Sequence, residues 1–335
     1  MSATPHLEIP VVDQLRSLLH QLETTLADDL GPSPSVLKVI AQRALEAGGK
    51  RMRPRLVYLA YAACQGTGDI ETDCRRYAVA VEYLHTATLL HDDLIDGASL
   101  RRGEETAHKK YGPKEAVLTG DLLLARCLSL VAAGTSLKAM ETLALAAERV
   151  AIGEAMEVEL TRRDDLDEQV YYAYASAKTA ALFAAAAEMG AIAAQAPAEW
   201  AGALAAYGEA MGLAFQVADD ALDVMSDAAK MGKEAGADLR AGIPSLPVLR
   251  ALATLGDDPR GALLRQILTR EVEGEALEAA LPEAVEVVRA VGAPEAIEVA
   301  RAHVAEALEA LSPLPEGPAV TLLREMAAAA VERWS

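Results

Sequence analysis

The chain has 335 residues and a net charge of −19, from 50 acidic against 31 basic side chains. A chain this acidic is a poor partner for nucleic acid or an anionic membrane surface. Its three cysteines, Cys64, Cys74 and Cys127, show no CxxC spacing, which supports neither a disulfide framework nor a zinc site and fits a reducing, cytoplasmic setting.

Residues 1–10, MSATPHLEIP, read as a flexible tail without the basic-then-apolar pattern of a signal segment. Helical periodicity follows over 11–28, 36–48, 53–65 and 73–96, broken by GPSPS at 31–35 and GTGDIETD at 66–73. A polar segment, GASLRRGEETAHKKYGP, comes next. Helices are then expected over 114–133, 136–162, 167–195 and 198–227. KMGKEAGADLRAGIPS, at 230–245, reads as a Gly-rich charged loop, and four or five shorter amphipathic helices should complete the chain. No β-branched alternation and no linker stand out, so the expected fold class is all-α, with 11–335 a single all-helical domain. The most apolar stretch, Thr179 to Ala196, is mostly alanine and is interrupted by Glu188, so no transmembrane segment is expected.

The pattern DDxxD occurs twice, as Asp92-Asp93-Leu94-Ile95-Asp96 and Asp219-Asp220-Ala221-Leu222-Asp223, each after a long apolar helical run. On a helix, residues i and i+4 project from one face about one turn apart, which pairs Asp92 with Asp96 and Asp219 with Asp223. Packed carboxylates repel one another unless a cation lies between them. Hard oxygen donors without His or Cys favour Mg²⁺, which takes one or two carboxylates and fills its sphere with water and phosphate. One such cluster alone could be a solvated helix end; two argue for facing halves of a site for a Mg²⁺-bound diphosphate.

Cations collect close to both motifs. Lys50, Arg51 and Arg53 open a helix, whose N-terminal dipole also favours anions. Arg101 and Arg102 trail the first cluster by five and six residues, and arginine holds phosphate oxygens through paired donors. Lys178 and Thr179 interrupt an apolar run, Gln216 precedes the second cluster by about one turn, and Lys230 and Lys233 flank a glycine after it. His85 lies two turns before Asp92 on nearly the same face, and His91 shares that helix. Taken alone, Lys178 would snorkel to the surface, Arg101 and Arg102 would be an exposed loop, and His85 a satisfied core histidine. No Ser-His-Asp set, P-loop or GxGxxG is present.

From Gly48 to Pro247 the segments GGKRMRP, VEYLHTATLLHDDLID, LRRG, LTGDLLLAR, GEAMEVE, KTAALF, GLAFQVADDALD, GK and GIPSLP occur in order. In these the chain resembles the trans-polyprenyl diphosphate synthase family, in particular its long-chain members. The resemblance implies a bundle of long helices around a central apolar cavity, a homodimer, and head-to-tail condensation of isopentenyl diphosphate onto an allylic diphosphate. It further implies about three Mg²⁺ ions, each keeping water and phosphate in its sphere, on Asp92, Asp96, Asp219, Asp220 and Asp223. Lys50, Arg53, His85 and Arg102 match positions that bind isopentenyl diphosphate; Arg101, Lys178, Thr179, Gln216 and Lys233 match those that bind the allylic diphosphate. Two departures stand out. Where the family usually reads GExxQ, this chain has Glu157 after Gly153 and Glu154, and GIPSLP replaces the commoner GKxTLP, so one lysine is absent.

Product length should follow from the helix before Asp92. Ala87 and Thr88, five and four residues upstream, are small where aromatic residues in the family give short products. Leu84, Val81 and Ala80 come next, and the first large stop is Tyr77. At about 1.5 Å per residue it lies roughly 22 Å from Asp92, room for a product longer than geranylgeranyl diphosphate, about C30–C45. Geranylgeranyl diphosphate synthesis, a class I terpene cyclase and a non-catalytic partner subunit are the competing readings. DDALD replaces a cyclase's second metal motif, and both Asp motifs are intact. Substituting Ala87→Phe should shorten the product; a distribution matching wild type would mean that the tail does not pass Ala87.

Overall fold

Alanine- and leucine-rich runs with a 3.6-residue period dominate this sequence, and in a computed structural model of the protein they fold as helices almost throughout. The structure describes residues 11–28, 30, 33–65, 73–160, 166–225 and 235–331. The tail at 1–10 and Lys230 and Lys233 lie outside them. The helices are α1 (Val11–Asp28), α2 (Ser35–Glu46), α3 (Met52–Ala63), α4 (Arg75–Ile95), α5 (Ala107–Tyr111), α6 (Pro113–Ala132), α7 (Leu137–Leu160), α8 (Glu168–Ala175), α9 (Ala181–Ala193) and α10 (Ala198–Met225). They continue as α11 (Ala237–Ala241), α12 (Leu246–Leu255), α13 (Pro259–Leu268), α14 (Gly274–Ala310) and α15 (Pro318–Ala328). Among the described residues no helix is long and apolar enough to cross a membrane.

The structure departs from the expected elements in four places. The polar segment after the first Asp cluster holds a short hairpin, β1 (Leu100–Arg101) with β2 (Glu104–Glu105), in which Arg101 pairs with Glu104, and then the short helix α5, where helices are expected to resume only at 114. The expected helix over 167–195 is instead α8 and α9 joined by a π-turn at Ser176–Ala180. A short helix, α11, interrupts the expected loop at 230–245. Finally, α14 runs unbroken for 37 residues through Pro282 and Pro294. An interior proline costs a helix about 3 kcal/mol. Here the buried stripe of Leu281, Ala284, Val285, Val288, Ala293, Ala296 and Ala300 outweighs that loss.

Contacts divide the chain into two compact units. The first comprises 1–145, 185–205 and 313–323; the second 146–184, 206–312 and 324–335. In the first, α4 lies antiparallel along α6. His91 sits against Gly120, and Tyr77 against Gly134 at the other end of the seam. Tyr83 ties α4 to α1 by donating to the Leu26 carbonyl at 3.3 Å.

In the second unit, α12 packs on α14 with α10 and α8 around a core that includes Leu246, Val248, Leu249, Val288 and Ala296. The closest approach is at Gly292, where an added Cβ would lie 1.8 Å from the Pro247 carbonyl oxygen. Neither backbone can yield without separating the helices. Gly292→Ala should therefore lower the stability of the protein by about 3 kcal/mol, the upper part of the overpacking range, measured by urea unfolding. An unchanged midpoint would mean that the two helices separate without cost.

Candidate functional site

The GGKR turn is built on left-handed backbone, Gly48 at φ +79° and Arg51 at φ +47°, a conformation that costs a non-glycine residue about 1 kcal/mol or more. The hydrogen bonds of the buried Arg51 guanidinium offset that cost. This guanidinium donates to Glu23 of α1 at 2.7 and 2.9 Å, to Glu82 of α4 at 2.5 Å and to the Leu45 carbonyl at the end of α2. Arg51 is thus committed to the fold, while its neighbour Lys50 is exposed and Arg53 lies half-buried on α3. Burial, opposed by Glu82, holds the Arg53 guanidinium down at about 10.

The hairpin carries the next two cations. Arg101 Nε donates to the buried Asp93 at 2.6 Å. Arg102, at φ +52°, turns back onto the GGKR turn, with its Nη1 3.3 Å from where a Cβ on Gly49 would stand. Burial and then Arg101 and Arg51 lower its pKa, against Glu82. His85 is at the centre of the group. Burial, then Arg53, Arg102, Arg101 and Arg51, push its pKa well below 6.5, so the ring is neutral at pH 7. Three of the four residues matched to isopentenyl diphosphate, Arg53, His85 and Arg102, are therefore within electrostatic reach of one another, and Lys50 adjoins the glycine that Arg102 touches. In a chain of net charge −19 this is a built concentration of positive charge. His91 is spent on packing: its Nε2 lies 3.2 Å from the Val117 carbonyl.

Both Asp motifs occupy the C-terminal ends of their helices. Asp96 caps α4, its N–H reaching the Asp92 carbonyl at 2.8 Å, and Asp219 to Asp223 fill the last two turns of α10. Neither helix has a basic residue in its last turn. A helix C-terminus carries partial negative charge and disfavours carboxylates, so each placement is one that a cation would relieve. Asp92 is half-buried and Asp96 exposed.

In the second unit Asp220 is buried and receives Tyr171 Oη at 2.7 Å and Gln216 Nε2 at 2.6 Å. Thr179 Oγ1 donates in turn to Gln216 Oε1 at 2.6 Å, so Thr179, Gln216 and Asp220 form one chain of hydrogen bonds. Burial raises the Asp220 carboxyl to about 7 against Tyr171 and Gln216, with Asp219 and Asp223 adding to the rise. Asp223 accepts the N–H groups of Ala237 and Asp238 at 3.1 and 3.2 Å, anchoring α11. Asp238, in the segment expected as a loop, is held well above its ordinary value by burial and by Asp220, Asp223, Glu157 and Asp219. Among the described residues no three His, Cys, Asp or Glu side chains close into a ready-made metal cage. The donor set is all carboxylate and self-repelling, which fits Mg²⁺ held by one or two protein oxygens each.

Lys178 projects from the π-turn to Glu154, at 2.9 Å, and to Glu157. Burial opposes its charge, but the two carboxylates outweigh it and raise the pKa. Of the residues matched to the allylic diphosphate, Lys178, Thr179 and Gln216 are in the second unit, Arg101 is in the first, and Lys233 lies outside the described residues. Along α4, Tyr77, Leu84 and Ala87 are buried, and Thr88 is half-buried with its hydroxyl donating to the His85 carbonyl at 2.8 Å.

Residues 34–288 match the family model described as Polyprenyl synthetase. The chain is 33% identical over 329 residues to a short chain isoprenyl diphosphate synthase of Methanothermobacter thermautotrophicus, covering 96% of this chain and 98% of that one. It is 32% identical over 313 residues to the octaprenyl diphosphate synthase of Escherichia coli, covering 93% and 94%. A polyprenyl synthase from Caulobacter crescentus, solved in complex with calcium and isoprenyl diphosphate, is similar with a TM-score of 0.89 at 36% identity, covering 97% of each chain.

The neutral His85 has a measurable consequence. Between its folded pKa and 6.5 the unfolded chain binds a proton that the folded chain does not, so this residue's contribution to stability falls away as pH drops below about 6.5. Asp220 and Asp238, held high, act with the opposite sign, so the comparison is between two proteins. From pH 6 to 5, wild type should lose up to about 1.4 kcal/mol per pH unit more than His85→Gln, read by urea unfolding. Parallel curves would mean that His85 is charged in the folded protein.

Proposed function

The chain belongs to the polyprenyl synthetase family and is a prenyltransferase, and on that premise we propose that it condenses isopentenyl diphosphate head-to-tail onto an allylic diphosphate, with Mg²⁺, to an all-trans product longer than C20. The observation that carries this reading is the pair of carboxylate groups at helix C-termini, Asp92 with Asp96 and Asp219 with Asp220 and Asp223, in a chain that gathers its arginines around His85.

Lys50, Arg53 and Arg102 hold the diphosphate of isopentenyl diphosphate, and neutral His85 donates a hydrogen bond to it. Arg101, oriented by Asp93, and Lys178 meet the allylic diphosphate, with Thr179 and Gln216 supplying neutral donors. Mg²⁺, when bound to the aspartates, neutralises charge on the departing diphosphate. As that group leaves, the cations stabilise the charge that develops on it. The allylic cation is attacked by the double bond of isopentenyl diphosphate, and the released diphosphate takes the proton that is then lost. The apolar faces of the surrounding helices keep water from the cation.

A long product is supported by the small side chains of Ala87 and Thr88 and by the octaprenyl-forming relative. A C15 or C20 product is the second reading, favoured by the short chain relative. A homodimer is supported by Val117, Leu118 and Leu128, which α6 leaves exposed.

Incubation with Mg²⁺, isopentenyl diphosphate and, separately, C5, C10, C15 and C20 allylic primers should yield a ladder ending beyond C20, sized by mass spectrometry. A stop at C15 or C20 would keep the enzyme class and reject the long product. No elongation from any primer would reject the synthase reading.

A further inference from the structure

Glu157 departs from the family pattern by gaining a carboxylate, and its surroundings show what that charge does. Gly153 and Glu157 lie one turn apart on α7. A Cβ on Gly153 would fall 2.4 Å from the backbone nitrogen of Lys178, so the π-turn rests directly on α7 there. The turn sends Lys178 and Thr179 in different directions, Thr179 to Gln216 on α10 and Lys178 to Glu154 and Glu157 on α7. Tyr174, one turn before Lys178, donates its hydroxyl to Glu157 Oε1 at 3.2 Å, while Glu157 Oε2 meets the ammonium. Both oxygens of Glu157 thus have partners within the second unit, and one ammonium is shared by two carboxylates.

We propose that Glu157 is a positioning residue that, with Glu154, clamps Lys178 and so weakens the hold of the protein on the allylic diphosphate and on the diphosphate released from it. The inference rests on the reading of Lys178 as an allylic diphosphate ligand. One ammonium against two carboxylates leaves the trio at net −1, whereas an uncharged amide in place of the Glu157 carboxylate would leave it neutral. An approaching diphosphate must draw Lys178 from its clamp and does so against that residual charge. The three side chains are only 20%, 13% and 14% exposed, so solvent and salt screen the repulsion weakly. A loosened grip suits repeated elongation, because every condensation leaves a diphosphate that must depart before the next primer is seated.

The test uses the full chain, with steady-state kinetics on the allylic primer that wild type elongates best and calorimetric binding of inorganic pyrophosphate with Mg²⁺. Glu157→Gln should lower both the KM for the primer and the Kd for pyrophosphate by about three- to tenfold, the range for one partly screened charge. The KM for isopentenyl diphosphate should stay within about twofold, because Lys178 is matched to the allylic diphosphate and not to isopentenyl diphosphate. Glu154→Gln relieves the same clamp and should shift both constants the same way, which decides the matter if Glu157→Gln fails to fold. Glu157→Asp keeps the charge and should restore wild-type values. In a Lys178→Met background Glu157→Gln should add nothing, since the effect travels through Lys178.

Unchanged or weakened primer and pyrophosphate binding in both glutamine variants would overturn the proposal, as would an equal shift in the isopentenyl diphosphate KM. If wild type makes no prenyl product the synthase reading fails, while the pyrophosphate titration still decides whether Glu157 restrains Lys178.

Discussion

The guanidinium of Arg51, shared by Glu23, Glu82 and the Leu45 carbonyl, makes the rest of the first unit possible. Arg51, Arg53, Arg101 and Arg102 all act on His85, and arginines this close repel one another. Glu82, buried on α4 one turn before the histidine, opposes that repulsion for Arg53 and Arg102 and pairs directly with Arg51. Breaking a buried pair by removing one partner leaves an uncompensated charge, so the carboxylate and the arginines depend on each other. The same contacts join α1, the end of α2 and α4 to the GGKR turn. An N-terminal helix far in sequence from the Asp motifs therefore helps to set where Lys50 and Arg53 stand.

The second unit faces the opposite difficulty, with carboxylates in excess. Its arrangement answers each in turn: Asp220 is held by Tyr171 and Gln216, Asp223 by backbone N–H groups of α11, and Glu157 by Tyr174 and Lys178. Apart from Lys178, whose single ammonium is shared with Glu154, these partners orient the side chains without cancelling their charge. Burial and mutual repulsion still raise Asp220 and Asp238. The frustration is stored where a divalent cation would discharge it, at the negative end of a helix.

Much of this is legible in the sequence because it depends on local spacing. The 3.6-residue period marks α1 to α4, α6 and α7 to within a few residues, while α5, barely more than one turn long, carries no period to read; DDxxD at the end of an apolar run places the carboxylates on helix termini. What the period cannot show is a register change inside a continuous apolar run. A π-turn adds one residue to a turn without altering composition, and so the opposed directions of Lys178 and Thr179 leave no trace in the pattern. Proline in a helical pattern reads as a stop, yet packing against α12 carries α14 through two of them. The hairpin at Leu100–Glu105 is too short for any alternation to appear. The commitments of Arg51 to Glu82 and of Lys178 to Glu157 span 31 and 21 residues, and no local pattern records a pairing over such distances.

The two departures from the family pattern act in one direction. Glu157 adds a negative charge beside Lys178, and Ile243, half-buried after Gly242, stands where a lysine is commoner. Of the two, Glu157 acts directly on a residue matched to the allylic diphosphate. Arg53, His85 and Arg102, matched to isopentenyl diphosphate, keep their full complement. In the proposed reaction the allylic diphosphate leaves in every cycle, whereas the isopentenyl diphosphate group stays on the growing product and becomes the leaving group of the next. A lysine already claimed by two carboxylates suits the group that must be let go, because part of its attraction for that group is already offset by theirs.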